Sequence, residues 1–202
     1  MVALSVVSTR DLDRPMDKKA LSDSKKIHLG CGSNFIHGWD NIDIVMGDGI
    51  IVHDLRESLP YKSEIIGTIF MEHVIEHLDK DHGYKLLSDC FRILRSGGVM
   101  RIGWPDLSRL IKAYVLRRRN YKDFVIPFLN DINKTGTWDE ILSDCLFSWD
   151  HKYAYTKKFM SILLTEVGFV VIREKGFRES DYGIIHDQRN DPATTYLEVI
   201  KP

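Results

Sequence analysis

Cysteine is scarce in this chain. Cys31, Cys90 and Cys145 are its three, odd in number and far apart, so they build neither a disulfide framework nor a thiolate zinc knuckle. Long apolar runs are missing too: none approaches the roughly 18 to 20 residues that span a bilayer, and Arg10 and Asp11 interrupt the start before a signal-peptide core could form. Neither charge dominates, since 28 Lys+Arg stand against 29 Asp+Glu for a net −1, so nothing global points to nucleic acid or an anionic membrane as partner. No segment recurs at a fixed period, which excludes solenoids and propellers. The expectation is a reduced, cytoplasmic protein with no membrane span and no nucleic-acid partner.

With 202 residues, 44% apolar and 28% charged, the chain fits one globular domain. Residues 1–24 are polar and unperiodic and carry Pro15, as in a tail, which leaves 25–202 as the domain. Lys26–Leu29 reads as a short buried strand running into the glycine turn Gly30-Cys31-Gly32. Further short apolar runs follow at 40–44, 50–53, 68–71 and 99–102. Between the last two, Leu87, Cys90, Phe91 and Leu94 keep helical spacing up to Gly97-Gly98. A helix between two buried strands is a crossover and implies a parallel sheet.

Pro105-Asp106 opens a helix with Leu107, Leu110, Ile111, Tyr114 and Val115 on one face and Arg117, Arg118 and Arg119 at its end. Helical spacing continues over 120–132 despite Pro127. Thr137 and Glu140 form a capping box before another helix. Residues 115–150 thus read as a helical insertion. Thr156 starts a helix closed by Gly168, and strands follow at 169–173 and 194–200. About seven strands with helices between most of them make an open α/β sandwich with the first five strands parallel.

Ligands of such sheets bind beyond the carboxyl ends of the strands. Gly30 and Gly32 let the backbone come close to a ligand. Asp43 after the second strand suits a ribose diol, Asp54-Leu55 after the third suits an adenine's amine and flat face, and Glu72-His73 after the fourth lines the same cleft. The turn is not the dinucleotide fingerprint, because Phe35 stands where a third glycine is needed, and no phosphate-cradling G-x-x-x-x-G-K-[ST] occurs. His73-Val74-Ile75-Glu76-His77 matches H-x-x-E-H, which on a helix would hold zinc between two histidines with Glu76 as base. The plainer explanation has His77 against the sheet and Glu76 facing solvent, with no metal.

The runs IHLGCGSNFIHGWDNIDI, IIVHDLRESLP, IGTIFMEHVIEHL, FRILRSGGVMRIGWPDL and HKYAYTKKFMSILLTEVGF resemble class I S-adenosylmethionine-dependent methyltransferases, more narrowly the small bacterial Methyltransferase-11 type. Some of these accompany polysaccharide and natural-product enzymes. The resemblance implies a Rossmann-like three-layer sandwich, a seven-stranded, mostly parallel sheet in the order 3-2-1-4-5-7-6 with the last strand antiparallel. It also implies S-adenosylmethionine as cofactor and S-adenosylhomocysteine as product. By position Gly30, Cys31 and Gly32 would approach the methionine part, Asp43 the ribose, Asp54 and Leu55 the adenine, and Glu72 and His73 the methionine end. The resemblance would put the helical insertion at 115–150 on the substrate side.

The short stretch from Gly30 to Ile42, interrupted by Gly38, leaves room for only a very short first helix and makes Asp40 the alternative to Asp43. If the acceptor must lose a proton, His151, Asp106 and His77 are the candidate bases. His151 leads, in an irregular aromatic segment before a helix. The expected activity is methyl transfer to an O, N or C nucleophile of a small molecule such as a sugar, lipid or natural-product intermediate. The alternatives are a non-catalytic cofactor-binding domain and an H-x-x-E-H zinc hydrolase.

Overall fold

The computed structural model describes residues 24–117, 119 and 137–202. The tail at 1–23, Arg118 and the helix expected over 120–132 lie outside the described residues. Seven strands, β1 (Lys25–Leu29), β2 (Asp40–Asp43), β3 (Ile50–Val52), β4 (Ile66–Glu72), β5 (Leu94–Pro105), β6 (Val170–Lys175) and β7 (Thr194–Ile200), form one sheet. Its order is β3-β2-β1-β4-β5-β7-β6. Strands β1 to β5 pair in parallel, and β7 runs antiparallel to both β5 and β6.

The central strands read as continuous apolar runs because both their faces are covered. In β4 every residue from Ile66 to Met71 is buried. Helix α1 (Lys80–Ile93) buries Leu86, Leu87, Cys90 and Ile93 against β1, β4 and β5. Asp79 caps it by accepting the His82 N–H. Helices α2 (Leu107–Val115) and α3 (Trp138–Phe147) make a second core around Leu110, Ala113 and Ile141. Thr137 caps α3 through the Glu140 N–H, as its spacing implied. Helix α4 (Lys157–Val167) packs on α1, begins at Thr156 and ends where Gly168 turns left-handed at φ +116°.

Three local expectations are corrected. Between β1 and β2 there are turns and no helix, because the stretch is too short for a helix and its return. Gly97-Gly98 do not stop α1, which ends at Ile93; the pair lies inside β5 at a bulge between its Leu94 and Val99 pairings with β4. On α2 the buried residues are Leu110 and Ala113, while Ile111 and Val115 are exposed at 47% and 67%.

His28 sits in β1, buried between Asn41 and the Phe70 ring. Burial lowers its imidazole to about 4, outweighing the Asn41 hydrogen bond that favours the charge. The unfolded chain therefore takes up a proton at pH values where the folded one refuses it. Stability from this group is complete above the ordinary histidine range and falls by about 3 kcal/mol as the pH drops to 4. Urea midpoints measured across that range should slope accordingly in the native chain and less in His28→Gln; equal slopes would mean that His28 titrates as if in water.

Candidate active site

The turn after β1 is held against β2, since the N–H groups of Gly30 and Cys31 both donate to the Ile42 carbonyl at 2.8 and 3.1 Å. Gly30 and Gly32 take φ of +64° and +50°, where side chains are disfavoured. Leu29 pairs with Ile42, so Asp43 stands at the carboxyl end of β2. Its carboxylate accepts the Gly32 N–H at 2.7 Å and the Val45 N–H at 2.9 Å. Asp40 stands at the other end of the strand, bound to Lys25 and the Tyr61 hydroxyl. Of the two, Asp43 is the one beside the glycine turn.

Cys31 is buried, and burial together with Asp43 pushes its thiol up, as for a space-filler rather than a nucleophile. Beyond β3, Arg56 grips the Asp54 carboxylate through Nε and Nη2 and, with its own N–H, holds it down at about 2. Leu55 packs half-buried on the main core.

After β4 the chain turns at His73, φ +53°. Glu72 accepts the N–H groups of Gln188 and Arg189 at about 3.0 Å and the Tyr196 hydroxyl at 2.5 Å. Its carboxylate therefore anchors the loop leading to β7. His73 Nε2 lies 2.8 Å from the Thr194 hydroxyl. The H-x-x-E-H segment is not an α-helix, only a single 3₁₀ turn over Ile75–His77 with His73 outside it. Its two histidines accordingly share no helix face, and Glu76, expected at the surface, is 2% exposed.

Asp106 is fully engaged. It caps α2 through the Ser108 N–H and hydroxyl, accepts the Thr195 hydroxyl at 2.9 Å, and is itself buried. With the Lys157 N–H at the start of α4 also donating to it at 3.3 Å, it anchors α2, α4 and β7 and is ill placed as a base. His151 is different. The segment before α4 is pinned where the N–H groups of Lys152 and Tyr153 donate to the Glu76 carbonyl and where Leu107 donates to Tyr155. His151 Nδ1 donates to the Cys145 carbonyl at 2.9 Å, which leaves Nε2 with its lone pair free. Burial lowers this imidazole. The His77 and His151 rings meet edge to face with centroids 5.0 Å apart, so two of the three candidate bases converge. Of the arginines at the end of α2, Arg117 stacks on Tyr114, its guanidinium 4.5 Å from the ring centre.

Residues 11–102, a little under half of the chain, match a family model described as a methyltransferase domain. This match and the strand order make the chain similar to class I S-adenosylmethionine-dependent methyltransferases. No curated protein sequence matches it. A methyltransferase from Mesorhizobium loti, described as S-adenosylmethionine-dependent, superposes with a TM-score of 0.56 at 14% identity, covering 94% of this chain and 100% of that one. A possible histamine N-methyltransferase from Thermotoga maritima gives 0.54 at 13% identity over 93% and 88%. Phosphoethanolamine N-methyltransferase 2 of Haemonchus contortus, solved with S-adenosylmethionine, gives 0.51 at 12% over 89% of this chain and 49% of its own. At such identities the likeness is one of fold. No helix among the described residues is long and apolar enough to cross a membrane.

The residues present fit the cofactor of the class. Above Gly32 a Cβ would meet nothing within 4 Å, so the backbone borders open space beside the half-exposed Asp43 carboxylate.

Proposed function

We propose that the chain methylates a nucleophile of a small-molecule acceptor, in the cytoplasm, with the cofactor over the ends of β1 to β4 and the acceptor beside His151. The observation that carries this reading is the Asp43 carboxylate bound to the Gly32 N–H at 2.7 Å, which puts an acidic acceptor of ribose hydroxyls directly against the glycine turn. Gly30, Cys31 and Gly32 border the methionine part. Asp54 and Leu55 flank the adenine, Asp54 exchanging its Arg56 partner for the adenine amine. Glu72 and His73 border the methionine end indirectly, by fixing the backbone after β4. S-adenosylmethionine supplies an already activated methyl group, so the protein's main task is to hold the acceptor in line and exclude water. Of the candidate bases, His151 has an open lone pair, whereas Asp106 has its carboxylate engaged.

Titration calorimetry with S-adenosylmethionine and S-adenosylhomocysteine tests the reading. Asp43→Ala should weaken both by about 1.5 to 3 kcal/mol, the scale of a charged hydrogen bond, or roughly 10- to 150-fold. An unchanged dissociation constant in a folded variant would remove Asp43 from the site, and no binding of either ligand by the native chain would end the proposal.

A further inference from the structure

Glu76 is the anomaly of this molecule. It is 2% exposed, yet among the described residues neither carboxylate oxygen has a hydrogen-bond partner. The His73 Nδ1 lies 3.2 Å from Oε1, within ion-pair reach when that ring is protonated but without hydrogen-bond geometry, so at most one oxygen is met by it. A buried carboxylate left this way is costly unless a positive charge meets it. On its open side one Glu76 oxygen, one ring nitrogen of His77 and one of His151 all lie within 4.8 Å of one another. Glu76 and His151 line a cleft with Pro105, Leu107, Leu110 and Tyr153.

We propose that Glu76, His77 and His151 hold one divalent transition-metal ion, with its remaining coordination positions open to this cleft. Two imidazoles and one carboxylate are the donor set of zinc, manganese, iron or cobalt, whereas calcium and magnesium favour all-oxygen shells. The hydrogen bond from His151 Nδ1 to the Cys145 carbonyl is the support that metal-bound histidines ordinarily have, fixing the tautomer that presents Nε2. The loop bearing His151 is tied to the Glu76 carbonyl by two backbone hydrogen bonds, so ligands more than seventy residues apart in sequence are held in place by the backbone before any ion arrives.

The consequence for catalysis rests on the function proposed above. An ion here binds an acceptor oxygen and lowers its pKa, which makes His151 a ligand rather than the base and the acceptor a hydroxyl compound. The hydroxyl proton leaves to solvent, the oxygen–carbon bond forms as the carbon–sulfur bond of the cofactor breaks, and S-adenosylhomocysteine departs.

The test starts without the cofactor. Purified full chain, stripped by a chelator and dialysed, is titrated with Zn²⁺ and Mn²⁺ by calorimetry and with Co²⁺ by visible absorption. One ion per chain is expected, and Glu76→Gln or His151→Ala should weaken it at least about 100-fold. Failure to bind any of the three ions, or binding that neither variant alters, overturns the proposal. Thermal unfolding of the stripped proteins adds a second readout, because Gln nearly preserves the shape of Glu. Glu76→Gln should melt no lower than the native chain if the carboxylate lacks a partner; a drop of several degrees would show a His73–Glu76 ion pair in place of a metal site. Metal binding with no S-adenosylmethionine binding would sink the proposed function and leave the metal site standing. Methyl transfer that persists unchanged in excess chelator would return His151 to the role of base.

Discussion

Arg101→Met is expected to lower the unfolding free energy by about 3 to 5 kcal/mol, the usual loss when one member of a buried ionic cluster is removed. Arg101 sits in β5 with no exposed surface. Its guanidinium binds both oxygens of Asp187, lies 3.5 Å from Glu198, and donates to the carbonyls of Gly176 and Glu179 at 2.9 Å. The Tyr196 ring covers it at 4.7 Å. Methionine fills part of the volume but leaves two carboxylates buried without their cation. Urea denaturation of the native chain and variant measures the difference; a loss under about 1 kcal/mol would mean that water enters the cluster.

The effect should reach the site. Arg101 fastens residues 176–187 to the sheet, and the N–H groups of Gln188 and Arg189 then cap Glu72 at the end of β4. Replacing Arg101, Asp187 and Glu198 together by apolar residues of similar size should recover much of the loss, because no charge is then stranded.

Gly30→Ala carries the other large expected effect, a loss of about 2 to 4 kcal/mol. Two causes add. At φ +64° an L side chain is disfavoured by roughly 1 to 2 kcal/mol. The new Cβ would also sit 2.2 Å from Val74 Cγ2, an overlap that forces Val74 or the turn to move, at about 1 to 3 kcal/mol. Gly32→Ala is the control: it shares the positive φ, but its Cβ would enter open space, so its loss should be the conformational part alone. Its methyl group would instead occupy the space proposed for the cofactor and weaken S-adenosylmethionine binding. Equal stability losses in the two variants would show that the Val74 contact yields freely.

Much of the frame was legible because its causes are local. Continuous apolar runs ending at Leu29, Met71 and Ile102 marked the parallel strands, and Asp106, Thr137 and Thr156 announced helix starts that the structure caps as expected. The order of the strands came from family resemblance, since no run of residues states which strand lies beside which. Reading helices from spacing alone failed where exposed apolar residues kept the period, as Ile111 and Val115 do on α2.

The site divides in the same way. That glycines follow β1, that Asp43 comes shortly after that turn and that Glu76 adjoins His77 is determined by the sequence itself, as each is a matter of neighbours along the chain. Only the tertiary structure decided that Glu76 is buried with no hydrogen-bond partner among the described residues, that His151 approaches it and His77, and that Arg101 gathers Asp187 and Glu198. Charge, burial and hydrogen bonding between residues distant in sequence depend on how strands and loops pack, and the periodicity of one segment carries no information about the segment that will face it.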